Sequence, residues 1–403
     1  MTRKKSDREL EQMQQILEYW DTELRVFIAD ILPADIEIRQ QMEDRMIELE
    51  NLVNTYGWVV IVKHIQNKSV PDYNTFIGEW RLDDIIEEMK EQDANVLILG
   101  NILKAQQIYK INEKLRPLWA KAWDRVDLIL KIFERHAKSR EAKLQIELAA
   151  IKHMWPRIFG MWMELSKQGW WVWTRWKWET NTEIMKRHLR KKEQHIRKDL
   201  EQYEKVRAQH RQSRARKWIQ TVGVVGYTNA WKSTLTNVLT KKGVLAEDKL
   251  FATLWTSVWK MFIEASYDEK TWVYIKPKEV LINDTIWFIR ELPPKLIDAF
   301  KSTLEDSIES NLLLHVVDAS DPKVEIKIKV VDEILENIWA KQKKIYVFNK
   351  IDEISPLLGG DVTEWPRGVD YLKEKFKDLN PIFVSAYEKI GLDELKKEIV
   401  EEL

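Results

Sequence analysis

The chain has 403 residues, enough for two or three domains that each bury a core of their own. Its 65 Lys and Arg residues balance its 65 Asp and Glu residues, so net charge indicates no partner and any electrostatic signal must be local. The absence of cysteine excludes disulfides, cysteine-ligated zinc and thiol catalysis, and the absence of an export signal or long apolar run predicts a cytoplasmic protein without a membrane span.

The first 135 residues alternate helical stretches with short β-branched runs. Strands are predicted at 25–31, 58–65 and 95–99, and helices at 39–55 and 81–92. This alternation is typical of a small α/β domain with a mostly parallel sheet.

Residues 136–217 predict an antiparallel hairpin of two long helices. The pattern is helical from about 126 to 158, with a row of apolar residues at helical spacing: Leu144, Leu148, Ile151 and Trp155. The tryptophan-rich stretch 167–180 fits neither helical nor strand periodicity, so a loop is predicted there. A long charged helix resumes at 181.

The second helix of the hairpin is strongly basic. Residues 182–217 contain 13 Lys and Arg residues against 5 Asp and Glu residues. A solvated helix face is one explanation of this charge. The stretch 205–217 contains no acidic residue, however, which favours contact with a polyanion such as RNA.

Residues 218–403 return to alternating strands and helices, which predicts a doubly wound α/β domain with a mostly parallel sheet. Strands are predicted at 221–226, 280–284, 311–319, 343–350 and 381–386, and helices at 295–309, 324–342, 367–377 and 392–402. In such domains ligands bind at the carboxyl ends of the strands. The expected fold class is α/β throughout, with the helical hairpin between the two α/β domains.

The stretch GYTNAWKST at 226–234 is similar to a phosphate-binding loop of the form G-x-x-x-x-G-K-[ST]. Gly226, Lys232 and Ser233 stand at the required spacing, while Trp231 occupies the place of the second glycine. The remaining predicted nucleotide contacts are the residues between Gly226 and Lys232 and the residue after Ser233. They are Tyr227, Thr228, Asn229, Ala230, Trp231 and Thr234. A bulky indole has no room beside a phosphate unless it swings out to solvent.

The motif NKID at 349–352 follows a predicted strand and indicates guanine recognition. The Asp352 carboxylate can accept hydrogen bonds from N1–H and the amine of guanine, and adenine offers neither. Asn349 is expected to tie loops together, and the stem of Lys350 to lie over the base. Ser385 and Ala386, after the next predicted strand, are suited to place backbone amides against the guanine O6. The predicted ligands are therefore GTP and GDP.

Two further stretches indicate magnesium. Asp284 ends an apolar strand, where P-loop enzymes hold Mg²⁺ through water, and Thr253 lies where a switch segment supplies a hydroxyl to the ion. Trp287 takes the place of the glycine in D-x-x-G. The candidate metal ligands are Ser233, Thr253 and Asp284, and the candidate catalytic residues are Lys232, Thr253 and Asp284. In this order and spacing the pieces predict a P-loop GTPase domain.

The chain resembles the HflX family of ribosome-associated GTPases over nearly all of its length. GYTNAxKSTLTNVLT, DKLFATL, DTIxFIRELPPKLIDAFKSTLED and LLLHVVDASDP follow the GTPase domain of that family, and REAKLQIELA, LSKQG and TRxKxET follow its helical middle region. The resemblance implies a monomer that binds the large ribosomal subunit and splits or rescues stalled ribosomes. The basic hairpin would contact the ribosomal RNA.

Departures from the family involve tryptophan, which is more frequent here than glycine, with 20 residues against 12. The tryptophans that stand where the family usually has glycine are Trp58, Trp80, Trp119, Trp162, Trp231 and Trp287. Trp231 and Trp287 are expected to weaken nucleotide binding. The alternative function is a nucleotide-impaired variant or redesign that acts only as a ribosome- or RNA-binding module. A design never selected for function would bind no ribosome.

Overall fold

The computed structural model describes most of the chain. The described residues are 25–32, 36–68, 70–137, 139–168, 172–216, 219–228, 230–240, 257–263, 266–268, 273–275, 278–284, 296, 310–354 and 368–403. Contacts divide the chain into two compact units, one with Met1–Lys131 and Pro156–Trp170 and the other with Ile132–Trp155 and Trp171–Leu403. The division into three domains at 135 and 217 stays a prediction.

The first unit contains a sheet of four parallel strands. These are β1 (Arg25–Leu32), β2 (Val59–Asn67), β3 (Val96–Leu99) and β4 (Lys121–Asp124), in the order β2-β1-β3-β4. The helices that connect them are α1 (Ile36–Tyr56), α2 (Glu79–Glu91) and α3 (Ala105–Leu115). The predicted α/β domain with a parallel sheet is therefore confirmed.

The core of this unit forms where apolar strand residues meet the apolar faces of the helices. Phe27 and Leu97 are fully buried and belong to one cluster with Ile85 of α2 and Ile111 of α3. The sequence reading missed β4, because its four residues, Lys-Ala-Trp-Asp, contain no β-branched side chain.

Three long helices follow: α4 (Arg125–His136), α5 (Arg140–Gln168) and α6 (Val172–Arg216). The helical pattern at 126–158 thus belongs to two helices. The prediction of a loop at 167–180 is wrong for most of its length, because α6 begins at Val172. No glycine or proline occurs between 172 and 216, so nothing in the chain breaks the helix, although its tryptophans lack periodicity.

Helices α5 and α6 run antiparallel, as predicted. Leu148 and Ile151 of α5 pack against Ile196 of α6 in one buried cluster. Two ion pairs join the same helices, one between Glu141 and Arg207 and the other between Glu147 and Lys192. As residue numbers increase along α5, the residue numbers of their partners on α6 decrease, which shows that the two helices run antiparallel.

The remaining elements form the second α/β region. Its strands are β5 (Gln220–Gly226), β6 (Ser257–Ile263), β7 (Ser266–Asp268), β8 (Val273–Ile275), β9 (Lys278–Asp284), β10 (Leu312–Asp318), β11 (Lys343–Asn349) and β12 (Ile382–Phe383). Its helices are α7 (Lys232–Thr240), α8 (Val324–Asn337), α9 (Val369–Lys375) and α10 (Leu392–Glu401). Most of the helix predicted at 295–309 lies outside the described residues.

Six of these strands form one sheet in the order β12-β11-β10-β5-β9-β6. All neighbours are parallel except β6, which pairs antiparallel with β9. The chain places β9 on one side of β5 and β10, β11 and β12 on the other, so the carboxyl end of β5 is the topological switch point of the sheet. The doubly wound fold is confirmed, and the position for a ligand is set by it.

The sequence reading missed the antiparallel edge strand β6 and the β7–β8 hairpin. Both follow the segment around Thr253, where the sequence predicts a switch loop, and no motif marks where either of them begins or ends. Within the described part of the chain, none of the helices has the length and apolar character that crossing a bilayer requires.

Candidate nucleotide site

The phosphate half of the candidate site is formed by residues 226–233, between β5 and α7. Gly226 ends β5 so close to β10 that a Cβ atom would lie 2.2 Å from the Val316 carbonyl oxygen. Only glycine allows this approach, because a contact of that length would force the two backbones apart. The chain can therefore turn directly from the strand into the loop.

Lys232 begins α7 and is 1% exposed. Its ammonium donates hydrogen bonds to the carbonyl oxygens of Gly226, at 2.8 Å, and Tyr227, at 2.9 Å. The loop thus closes around the Lys232 ammonium. A buried cation held at the amino end of a helix is suited to meet the charge of a phosphate group.

The other predicted phosphate contacts lie around this cation. Ser233, the next residue of α7, is buried, as are Tyr227 and Thr228 in the loop. Ala230 is buried as well, and its amide donates to the Tyr227 carbonyl oxygen at 3.4 Å. Thr234 is half-buried on α7, and Asn229 lies outside the described residues.

Trp231 has a left-handed backbone, with φ +55°. This conformation favours glycine, because a Cβ atom crowds the following carbonyl. The indole does not swing out to solvent, which corrects the expectation from the sequence. It lies 5.0 Å from the Lys350 ammonium and 6.3 Å from the ring of Tyr387, at 69° between the ring planes. A cation and an aromatic ring stabilise it there.

The base half is formed by residues 349–353 and 384–387, which follow β11 and β12. Asn349 is 1% exposed and ends β11. Its side-chain amide donates to the Ala230 carbonyl oxygen at 3.2 Å, and its side-chain oxygen accepts from the Ala386 amide at 2.9 Å. One buried side chain therefore joins the two loops of the base half to the phosphate loop.

Lys350 is also left-handed, with φ +67°. Its ammonium lies 2.9 Å from a carboxylate oxygen of Asp318 and 3.6 Å from one of Glu353. Asp318 ends β10, directly beside Asn349 in the sheet register. The sequence reading missed both carboxylates, although an acidic residue at the end of a strand next to NKID was a signal for Asp318.

Asp352 is exposed on the short turn Ile351–Glu353. Ser385 is fully buried, its hydroxyl accepts from the Glu388 amide at 2.9 Å, and Ala386 is 2% exposed. Gly391 closes this loop with φ +72°, where a Cβ atom would lie 2.3 Å from the Phe383 carbonyl oxygen. The arrangement fixes the Ser385–Ala386 backbone beside Asn349.

The candidate metal residues are only partly described. Asp284 is the last residue of β9 and lies opposite Val224 of β5 in the sheet register, so its backbone is at the same edge as the phosphate half. Thr253 and Trp287 lie outside the described residues. The structure therefore brings Asp284 and Ser233 to one edge of the sheet and gives no position for Thr253.

A polar cluster lies between β10, β11 and α8. The Asp332 carboxylate accepts from the Lys344 ammonium at 2.7 Å and from the Tyr346 hydroxyl at 3.0 Å, and His315 is 3.6 Å away. Burial favours a raised pKa for Asp332, but the His315 ring and the Lys344 ammonium outweigh it and lower that pKa to about 2. Burial lowers the pKa of His315, which keeps the imidazole neutral.

Three family models match the chain. They describe a GTP-binding GTPase N-terminal region at residues 43–134, a GTP-binding GTPase middle region at 136–214 and a 50S ribosome-binding GTPase at 221–350. Their order follows the order of the elements described above, from the first sheet through the helical hairpin to the second.

Curated relatives match over most of the chain. A GTPase HflX from Caldanaerobacter subterraneus subsp. tengcongensis is 37% identical over 362 residues, covering 90% of this chain and 77% of that protein. GTPase HflX from Escherichia coli is 34% identical, covering 90% and 80%, and that from Methanocaldococcus jannaschii is 34% identical, covering 93% and 86%.

A solved structure has the same fold. The crystal structure of the SsGBP and GDP complex matches with a TM-score of 0.51 and 24% sequence identity, covering 94% of this chain and 98% of that one. At this identity the likeness concerns the fold alone.

Proposed function

Because this chain belongs to the HflX family of GTPases, we propose that it binds guanine nucleotides, hydrolyses GTP with Mg²⁺ and acts on ribosomes. The observation that carries the proposal is the pair of hydrogen bonds of Asn349, one to the phosphate loop and one to the Ala386 amide. They hold the loop at 226–233 and the residues that follow β11 and β12 at one edge of the sheet. A single nucleotide can then reach both.

The residues of the phosphate half and of the base half have different proposed roles. Lys232 neutralises the β- and γ-phosphates, and backbone amides of the loop bind the phosphate oxygens. In the base half, Asp352 selects guanine, the stem of Lys350 lies over the base, and the Ser385–Ala386 backbone faces the guanine O6.

The residues present fit a magnesium ion. Mg²⁺ prefers hard oxygen ligands, and Ser233 and Asp284 bring a hydroxyl group and a carboxylate-bearing residue to the same edge of the sheet. Ser233 would bind the ion directly and Asp284 through water, with Thr253 as a further candidate. When bound, the ion would neutralise charge on the transferring phosphoryl group.

Replacing Lys232 tests the enzymatic part of the proposal. In Lys232→Met the phosphates lose their buried cation, so GTP hydrolysis should fall by about a hundredfold or more. The matched control is Lys329→Met, which removes an exposed lysine of α8 and should leave GTP hydrolysis unchanged. Phosphate release that is equal in Lys232→Met and the unchanged protein would contradict the assignment.

The helical hairpin supports ribosome binding. Several of its basic residues are engaged in ion pairs, as Lys192 is with Glu147 and Arg207 with Glu141. Others are exposed on α6, including Arg190, Lys191 and Lys198. Exposed cations along one long helix are suited to contact a phosphate backbone.

Charge reversal tests this surface. The triple variant Arg190→Glu, Lys191→Glu, Lys198→Glu should lose co-sedimentation with large ribosomal subunits at moderate salt, because each phosphate contact contributes to a salt-dependent affinity. The control reverses three exposed lysines of the GTPase region, Lys341, Lys373 and Lys377, and so changes net charge equally. Equal pelleting of the two triple variants would contradict a specific role of the hairpin.

A further inference from the structure

The indole of Trp231 lies on the base half of the site although its backbone belongs to the phosphate half. The Lys350 ammonium is 5.0 Å from the ring centroid, and the ring of Tyr387, directly after Ala386, meets it nearly edge to face at 69°. Both neighbours belong to the loops that follow β11 and β12. The indole therefore occupies part of the surface that these loops offer to a base.

Two ion pairs restrict the position of the Lys350 ammonium. Asp318 and Glu353 lie on its ammonium, and the residue is 7% exposed. The planar group that this cation contacts is now the indole. In the proposed function the same side chain lies over the guanine, which is a fused bicyclic ring of about the same size as indole.

Two features of the structure stabilise the indole in its position, and two oppose it. A cation over an aromatic face and an edge-to-face ring pair both stabilise the indole in place. Opposing them, the indole Nε1 is buried and has no hydrogen-bond partner among the residues that the structure describes, and φ +55° strains the backbone. A ring held in this way can be displaced by a ligand that makes better contacts.

We propose that Trp231 is a specificity-determining residue whose indole competes with the purine ring of a nucleotide for the base half and does not compete with its phosphate groups. The inference rests on the proposed function and assigns the source of nucleotide discrimination within it. Ligands with a purine must displace the indole, and ligands that consist of phosphate alone do not.

The test compares GDP with inorganic pyrophosphate by titration calorimetry in the presence of Mg²⁺. Trp231→Gly and Trp231→Asn both remove the indole, and both residues tolerate a left-handed backbone. Each should bind GDP roughly tenfold or more tightly than the unchanged chain, as the loss of two ring contacts implies. The affinity for pyrophosphate should change by less than about twofold.

Trp339→Gly is the matched control. Trp339 is also left-handed, with φ +62°, but its side chain is 75% exposed at the end of α8. The same substitution there relaxes the backbone without touching the site, so both affinities should stay unchanged.

The outcomes separate the inference from the proposed function. If pyrophosphate binding tightens as much as GDP binding, the indole obstructs the phosphates and the inference is overturned. Equal GDP affinity with and without the indole also overturns it. If GDP binds to none of the variants, including Trp231→Gly, the proposed function itself fails.

Fluorine NMR gives a direct second reading on the intact chain. The protein is labelled with 5-fluorotryptophan, and the Trp231 resonance is assigned by its loss in Trp231→Phe. This resonance should move on saturation with GDP and stay in place with pyrophosphate. A resonance that does not respond to saturating GDP would overturn the displacement.

Discussion

Asn349 and Lys350 in the base half are buried, and both make polar contacts that hold them in place. Trp231 in the phosphate half has a left-handed backbone and a buried indole nitrogen without a partner among the described residues. The two halves meet at the same edge of one sheet. In the base half the backbone and side chains suit their contacts, whereas in the phosphate half Trp231 does not suit its backbone conformation.

The difference shows which residues a strand end can accommodate. Asn349 and Asp318 continue directly from strands whose positions the sheet fixes, so short polar side chains there meet partners at set distances. Trp231 lies in a loop whose backbone path suits glycine. Its large ring has to find contacts outside its own loop, and it finds them in the other half.

The largest expected effect concerns the base half and is a change of base preference. The carboxylate of Asp352 would accept from both the N1–H and the exocyclic amine of guanine. In Asp352→Asn one of the two accepting oxygens is replaced by a donating NH2 group, so GDP affinity should fall by about a thousandfold. Affinity for xanthosine diphosphate should rise, because the amide can donate to the second carbonyl of xanthine. Competition of both nucleotides for one labelled ligand measures the change.

Glu353→Gln is the control for that exchange. Glu353 lies on the same turn and contacts Lys350 and Ser320, so its loss should not alter which base is preferred. A preference for guanine that survives in Asp352→Asn would remove Asp352 from the site.

Cutting the link between the halves should have the next largest effect. Asn349→Ala leaves the Ala230 carbonyl and the Ala386 amide without their buried partner, which should lower the free energy of unfolding by about 3 kcal/mol. Urea denaturation measures the loss. The loss should be smaller in Asn311→Ala, because the Asn311 side chain, which accepts from the Thr221 amide outside the site, is exposed.

Acid should destabilise the region behind the base half. The pKa of Asp332 is lowered from 3.8 to about 2, so its contribution is complete above pH 3.8 and is lost as the pH falls towards 2. That difference corresponds to about 2 kcal/mol. His315 also lowers the stability as the pH falls below 6.5. Burial lowers its pKa in the folded protein, so the unfolded chain binds a proton that the folded chain does not.

Urea midpoints measured between neutral pH and about pH 3 check this dependence. Asp332→Asn should flatten the acid limb of the curve. An acid limb with the same slope in Asp332→Asn and the unchanged protein would assign the acid loss to other carboxylates.

The smallest effect concerns helix ends, where a left-handed tryptophan can be compared with other residues. Helices α1, α2 and α8 end with the same backbone hydrogen bonds, and the left-handed residue is Gly57, Asp93 and Trp339, respectively. Trp339→Gly should raise the free energy of unfolding by about 1 kcal/mol. Asp93→Gly should change it by less, because aspartate tolerates this conformation better. A loss of stability in Trp339→Gly would show that the indole contributes more than its backbone strain.

Strand patterns predicted much of the fold, and motifs predicted most of the candidate site. The apolar run that ends in NKID placed Asn349 and Lys350 at the end of a strand, and the structure has them there. The roles of Asp352 and the phosphate-loop residues in binding stay predictions.

What the sequence reading missed depends on contacts between distant segments. Asp318 and Tyr387 carry no motif, and they become relevant only because β10 and the loop after β12 bring them to Lys350 and Trp231. The position of the indole could not be foreseen for the same reason, since its partners lie more than a hundred residues further along the chain.

The two hydrogen bonds of Asn349 have a thermodynamic consequence. A ligand fragment that orders the loop after β12 also favours one position of the Ala230 carbonyl, and ordering the phosphate loop favours one position of the Ala386 amide. By linkage, this influence has the same magnitude in both directions. A nucleoside and a diphosphate presented as separate molecules should thus assist each other's binding, although no covalent bond joins them.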